Sequence, residues 1–396
     1  MKSTSHKIDV KKVFDKIRTI EDLTDLLCML YPQEYLRNPN TMTVKAFRYF
    51  TSPSIPKTSY KSFQIAKKSG GKREINAPVS MLKAFQTGLN VLLQEVFEAH
   101  KAATGFAPGS SIVDNARPHL NQNYVFNIDL KDFFTSIDQA RIWKRLQHPP
   151  FNLSKENGRL ELANRIAALC CTEMEVDRKN DDGDWIKVKR NVLPQGAPTS
   201  PVISNIIAYR LDFLLTGLAN RFGLNYTRYA DDISFSSKHN VYQNDGDFIK
   251  ELHRIIEDQN FNINPSKTRL QKRGFRQETT GLIVNEKINV RRSYIKELRK
   301  WLYTWERYGY GKASDLFKLT YSKTHKNVSP PSLVNVMDGK LEYLKMVKGR
   351  EDGTYKKLFE RFVKLSAPQN KLSVILDVWE NKGIEKAMEV FNYNKD

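Results

Sequence analysis

Apolar residues recur at helical spacing twice near the start of the chain, at Val10, Val13, Phe14 and Ile17 and again at Leu23, Leu26, Leu27 and Leu30. A polar, proline-containing break over residues 31–40 follows, so residues 1–55 predict a helical N-terminal extension that docks on the rest. From Phe63 the period shortens. Two short strands are expected around the Gly70-Gly71 turn, making a hairpin with a basic tip at Lys67, Lys68, Lys72 and Arg73. Leu82, Phe85, Leu89, Leu92, Leu93 and Val96 give a wide apolar face to a helix from about Val79 to His100. Residues 124–129 read as a buried strand ending in the carboxylate of Asp129, with a helix expected from Leu130 to Arg145. Residues 150–190 are poorly patterned, and the polar run Asp177–Asp184 predicts a surface loop. Turn chemistry over Leu193–Pro201 leads into an apolar helix, Ile203–Leu215. Residues 226–235 read as strand, two-residue turn, strand, with Asp231 and Asp232 at the turn. An amphipathic helix over Phe248–Asp258, a basic segment over Lys267–Arg276 and a largely helical C-terminal third complete the pattern, without internal repeats.

Charge changes the picture. Of 396 residues, 64 are Lys or Arg and 44 are Asp or Glu, a formal net charge of +20. Such a surplus favours a polyanionic partner, because cations that neutralise phosphates release condensed counterions. The 40% hydrophobic and 11% aromatic content fits a folded protein, and the length fits two or three domains of about 100–200 residues. Three cysteines, Cys28, Cys170 and Cys171, supply neither a disulfide framework nor a four-thiolate zinc site. Basic residues near the N-terminus are not followed by an apolar run, and no stretch of about 18 apolar residues is expected to span a membrane. A soluble, cytoplasmic protein is the expectation.

Paired aspartates suit divalent ions, since magnesium takes oxygen ligands and is held by one or two carboxylates plus substrate phosphates. Asp231-Asp232 lies between β-forming stretches, whereas Asp181-Asp182 lies in a polar run that lacks the pattern of a calcium loop. Asp129 ends an independent strand. These carboxylates could converge on a two-metal centre, or be surface and capping groups. No Walker loop occurs, so triphosphate charge falls to the hairpin cations Lys68, Lys72 and Arg73. From Glu286 to Lys326, eleven Lys and Arg face four acidic residues, interleaved with Tyr294, Trp301, Tyr303, Trp305, Tyr308 and Tyr310. Cations and stacking rings suit single-stranded or stem-loop RNA, with about half of the rings expected in packing. Arg291, Arg292, Lys296, Arg299 and Lys300 are the expected RNA contacts.

Four stretches in this order resemble successive palm motifs of bacterial reverse transcriptases: residues 126–137 around Asp129, Leu193–Pro201, Tyr229–Asp232 and Ser266–Thr268. Residues 70–75 and 105–112 resemble fingers motifs of the same enzymes, so the likeness covers roughly residues 58–285. Asn115-Ala116-Arg117-Pro118-His119 reproduces an Asn-Ala-x-x-His element of retron reverse transcriptases. Thr279-Thr280-Gly281 keeps the Thr-Gly of their Val-Thr-Gly junction and changes its first residue.

The resemblance implies an α+β right-hand polymerase with an antiparallel-sheet palm and a helical thumb. Fingers would occupy 56–123 with part of 140–190, palm 124–285, and thumb with a C-terminal RNA-binding region 286–396. It implies an RNA-directed DNA polymerase using two Mg2+ ions, replaceable by Mn2+, with Asp129, Asp231 and Asp232 catalytic and Asp129, Leu130, Asp231 and Asp232 holding metal. Phe134 would be the aromatic gate against a ribose 2′-hydroxyl. Gln195 and Gly196 would lie against nucleotide and template, Lys267 near the pyrophosphate, and Asn115, His119, Thr280 and Gly281 with the RNA or its scaffold. Partners would be dNTPs, a structured non-coding RNA primed from a 2′-hydroxyl into branched RNA-DNA (msDNA), and an effector protein in anti-phage defence. A defence-associated reverse transcriptase with another priming mode and a catalytically inactive RNA-binding scaffold are the competing expectations.

Overall fold

The computed structural model describes residues 9–32, 42–52, 59–66, 71–180, 182–325, 328–366, 378–379 and 383–393. They gather into two compact units, residues 1–280 and 281–396. Helices and antiparallel strands combine as the expected α+β class requires.

In the first unit one hydrophobic core runs from Phe14 to Phe261. The N-terminal helices α1 (Val10–Lys16) and α2 (Ile20–Leu30) are part of it. Phe14, Leu23 and Leu27 are buried with Leu82, Phe85 and Leu89 of α4 (Ser80–Val96). Asp9 caps α1, and Thr19 and Asp22 form a capping box on α2. A third short helix, α3 (Val44–Phe50), adds Phe47 and Phe50. Gly88 brings α4 so close to α2 that a side-chain carbon there would meet the Leu27 carbonyl oxygen at 2.5 Å. The basic hairpin is β1 (Tyr60–Ala66) against β2 (Lys72–Pro78); Lys68, at its tip, lies outside the described residues.

After α5 (Ile112–Ala116) the chain enters a five-stranded antiparallel sheet. Its central strand β3 (Tyr124–Lys131) pairs on one side with a later strand, Asp232–Ser237. On the other side it pairs with Asn262–Ile263 and Arg269–Lys272. The helix expected over Leu130–Arg145 is shorter. β3 runs on to Lys131, a turn follows, and α6 occupies Gln139–Leu146. Phe133, Phe134 and Ile137 imitate helical spacing while sitting in that turn. The unpatterned stretch 150–190 is also ordered. It holds α7 (Leu160–Cys170) and a hairpin of β4 (Thr172–Lys179) with β5 (Trp185–Val192); of the surface loop expected over Asp177–Asp184, residues 177–179 belong to β4 and residues 182–184 to the turn of the hairpin. Met174, Val176, Ile186, Val188 and Val192 share one face and alternate with charged residues, and Arg178 and Arg190 interrupt that face.

α8 (Ser200–Arg221) is the central core helix, with Val202, Ile203, Ile206, Leu211 and Leu215 buried. Its most apolar window has mean hydropathy 1.4, so by length and composition it could cross a membrane, contrary to the sequence expectation; 67% of that window is buried within the fold. The hairpin β6 (Asn225–Tyr229) and β7 (Asp232–Ser237), α9 (Asp247–Asp258), β8 (Asn262–Ile263) and β9 (Arg269–Lys272) complete the sheet layer.

The second unit is helical. α10 (Arg292–Thr324) breaks at Gly309, whose φ of 77° an L side chain rarely adopts. The break folds the helix back on itself, so that Trp301 meets Phe317 with ring centroids 5.3 Å apart and Trp305 meets Tyr310 at 5.0 Å. α11 (Leu333–Lys348) and α12 (Gly353–Ser366) add Met337, Leu341, Leu358 and Phe362 to this core.

Candidate active site

Asp129 stands directly opposite Asp232 in the β3–β7 ladder, and opposed residues of an antiparallel pair project from the same face. Tyr229 pairs with Asp232, leaving Ala230-Asp231 as the two-residue turn, with Ala230 at φ 57°. The Leu130 amide donates to the Asp231 carbonyl at 2.9 Å, which clamps that turn onto β3. The three carboxylates, separated by a hundred residues of chain, therefore meet at one end of the sheet.

Their electrostatics are crowded. Burial and then the Asp129 charge raise the pKa of Asp231. Burial and then Asp231 push Asp232 up to about 7. Lys267 Nζ answers part of this negative charge, 2.7 and 2.9 Å from the two oxygens of Asp129, and Asn264 Nδ2 donates to the same carboxylate at 3.2 Å. Among the described residues no three His, Cys, Asp or Glu side chains stand grouped to hold an ion as they are. The oxygen-only donor set and its remaining repulsion nevertheless suit a hard divalent cation. Leu130, whose side chain is a hydrocarbon, could offer only its backbone carbonyl.

A cavity of about 650 Å³ opens in front of Asp129 and Asp231, and Lys72, Arg73, Phe134, Gln195 and Lys267 all line it. Asp232 does not line it. Gly196 does not line it either. Its close approach is to protein, where a side-chain carbon would meet the Asn76 carbonyl at 2.8 Å. Asn76 N also donates to the Gln195 carbonyl at 2.8 Å, tying this loop to the basic hairpin. Phe134 has a neighbour that sequence reasoning missed: Phe106, at φ 61°, puts its ring 6.2 Å from both Phe134 and Tyr229. Gly105 permits this, since a side-chain carbon there would meet the Ala230 nitrogen at 2.6 Å.

Of the two expectations for Asn115 and His119, RNA or its protein scaffold, their burial agrees with the second: both are fully buried and hydrogen-bond to protein. His119 Nδ1 lies 2.7 Å from Ser236 Oγ and Nε2 2.8 Å from Thr227 Oγ1, so the ring stitches β6 and β7 behind the aspartates. The Asn115 side-chain oxygen accepts from the Thr104 hydroxyl at 2.8 Å. Thr280 is half-buried at φ 48°, and Gly281 is exposed at φ 80°. In the second unit Arg291, Arg292, Lys296, Arg299 and Lys300 are exposed. Trp301 and Trp305 are buried, whereas Tyr303, Tyr308 and Tyr310 are exposed.

A buried ion pair under the turn was also missed. Arg228 and Asp212 are both fully buried, joined at 2.6 and 2.7 Å. Arg228 further donates to the Ala230 carbonyl at 3.0 Å and to Asn205 Oδ1 at 3.1 Å, and Tyr226 donates to Asp212 at 2.7 Å. The available signal was a charged residue in the middle of a strand with a buried pattern, which requires a partner.

The sequence pattern of the family described as reverse transcriptase (RNA-dependent DNA polymerase) matches residues 65–288. The chain is 36% identical over 253 residues to the retron Mx65 reverse transcriptase of Myxococcus xanthus, covering 62% of this chain and 55% of that protein. It is 36% identical over 238 residues to the retron Mx162 enzyme of the same organism, covering 58% and 47%. Against the retron Ec86 reverse transcriptase of Escherichia coli it is 31% identical over 246 residues, covering 61% and 68%. The chain thus spans about half the length of the two Myxococcus relatives. Among solved structures, a telomerase from Candida albicans in complex with a TWJ fragment of telomeric RNA aligns over 84% of this chain and 62% of its own. Identity there is 13% and the TM-score 0.40, a likeness too distant to carry weight.

Proposed function

The chain belongs to the reverse transcriptase family, among the retron reverse transcriptases, and from that premise we propose that it polymerises DNA on an RNA template. Its fold is the right-hand polymerase, with an antiparallel-sheet palm in the first unit and a helical thumb in the second. The observation that carries the function is Asp129 and Asp231 facing a cavity edged with cations, with Asp232 paired to Asp129 in the ladder.

Asp129 and Asp231 would hold two Mg2+ ions, or Mn2+ in their place, with the Leu130 carbonyl beside them and Asp232 in support. Bound there, such ions supply activation of a 3′-hydroxyl and charge relief at the leaving pyrophosphate. The protein's own share is placement. Lys72 and Arg73, at the cavity wall, pair with triphosphate oxygens. Lys267, now on Asp129, is within reach of the same charge. Phe134, braced by Phe133 at 5.5 Å and Phe106 at 6.2 Å, presents a ring where a ribose 2′-hydroxyl would need room.

The finer reading rests on the retron resemblance. The template is a structured non-coding RNA, priming comes from one of its 2′-hydroxyls, the product is branched RNA-DNA, and an effector protein uses it in anti-phage defence. Purifying the protein with its bound nucleic acid and sequencing the DNA tests this. A 2′,5′-branched RNA-DNA is the expected product. Linear or untemplated DNA would overturn the priming mode, and no DNA synthesis on any primed RNA would favour the inactive scaffold.

A further inference from the structure

Two recesses border α6, one of about 1090 Å³ reaching α7 and the β4–β5 hairpin, the other of about 750 Å³ reaching the end of α9 and β8. Each exceeds the catalytic cavity in volume. They share Asp138, Ala140, Arg178 and Lys179, and Arg178 lines the catalytic cavity as well, so the three spaces adjoin at one guanidinium. That guanidinium is fixed, donating to Asp138 at 2.7 Å and to the Thr135 carbonyl at 2.8 Å.

Charge along this path is lopsided. Arg141, Lys144, Arg165, Arg178, Lys179 and Arg190 line the two recesses against the carboxylates Asp138, Glu161 and Glu257. Arg165 and Arg178 are engaged by Glu161 and Asp138, while Lys144, Lys179 and Arg190 are exposed. Trp185 adds a stacking surface, 45% exposed, with Lys131 Nζ 4.0 Å and Lys179 Nζ 5.8 Å from its ring centre. Lys131 belongs to the catalytic cavity and Trp185 to the second recess, so this cation–ring pair marks the passage between them. Phosphates require cations and unpaired bases require rings, and the two alternate here as a single strand demands. The walls set these cations beside the rings of Trp143, Trp185 and Phe261, a mixed lining that suits phosphates and bases together.

We propose that this channel holds the uncopied single-stranded RNA template ahead of the catalytic cavity. The inference rests on the polymerase reading and adds a path lined mainly by residues outside the family motifs.

The test uses the full chain carrying Lys144→Glu, Lys179→Glu and Arg190→Glu, none of which lines the catalytic cavity. Two primed RNA templates are compared, one whose unpaired overhang ends inside the catalytic cavity and one with a long overhang. The expected result is an affinity loss of about tenfold or more confined to the long overhang. Its log–log salt dependence should be shallower by about 2, since each lost single-strand phosphate contact removes about 0.7. Equal loss on both templates, or none on either, overturns the channel. Affinity reads the channel whether or not nucleotides are added. Failure of the polymerase reading would therefore show separately, as absent incorporation with the overhang effect intact. If the triple variant does not fold, Lys179→Gln with Arg190→Gln carries the same comparison with a smaller expected difference.

Discussion

Asn115 Nδ2 donates to Thr280 Oγ1 at 3.4 Å, joining two elements that lie 165 residues apart in sequence and that each resemble a retron mark. Their common service is structural. Asn115 also accepts from Thr104, and its carbonyl accepts from the Thr227 hydroxyl at 3.3 Å, so one buried amide ties the fingers loop to β6 and to the end of the palm. Asn115→Ala is therefore expected to cost about 1–3 kcal/mol in urea unfolding by leaving buried partners unpaired. RNA affinity of the folded fraction should stay unchanged. A variant of native stability that binds RNA weakly would show direct contact instead.

The Arg228–Asp212 pair makes a sharper case. Arg228→Met leaves a fully buried carboxylate alone and should cost about 3–5 kcal/mol. Adding Asp212→Leu should restore most of that stability. Nucleotide incorporation should nonetheless stay low in the double variant, because the Ala230 carbonyl loses its 3.0 Å anchor beneath Asp231. Recovery of both stability and activity would show that the pair does not position the turn.

Periodicity made the apolar framework legible. β3, α4, α8 and the β6–β7 hairpin were expected close to where they lie, and the carboxylates at Asp129, Asp231 and Asp232 stood out by their strand context. What stayed hidden has physical causes. The β4–β5 hairpin does alternate, but Arg178 and Arg190 interrupt its apolar face and leave a short, broken pattern. The N-terminal helices read as a separate extension because amphipathic spacing identifies an apolar face without saying what covers it. His119 bonds to residues more than a hundred positions away and Asn115 to Thr280, 165 positions away. Arg228 has its partners Asp212 and Asn205 on α8, 16 and 23 positions away, so no pattern within one element encodes the burial of these residues.

His119 gives stability a pH signature. Burial pushes its pKa down to about 3 from 6.5. The unfolded chain thus takes up a proton before the folded one does. The contribution is complete above pH 6.5 and is lost as pH falls toward 3, with a slope of at most about 1.4 kcal/mol per pH unit. Denaturant midpoints across that window should show His119→Gln losing this part of the slope. Parallel curves for the two proteins would mean that the ring is not held neutral.

Phe134→Ala should open the sugar side of the cavity. Competition between a deoxynucleotide and its ribonucleotide partner is expected to show discrimination falling about 10- to 100-fold, with deoxynucleotide use much less affected. Phe106→Ala should give a smaller change in the same direction, since its ring supports Phe134 at 6.2 Å. Unaltered discrimination in Phe134→Ala would remove the ring from that role.

The most direct measurement is single-turnover deoxynucleotide incorporation on a primed RNA template in Mg2+ by the Asp231→Ala, Asp232→Ala variant, alongside its RNA affinity. We expect incorporation to fall by about 10³-fold or more while RNA binding stays within about twofold. Incorporation close to that of the unaltered chain would contradict catalysis by the carboxylates gathered at the β3–β7 end of the sheet.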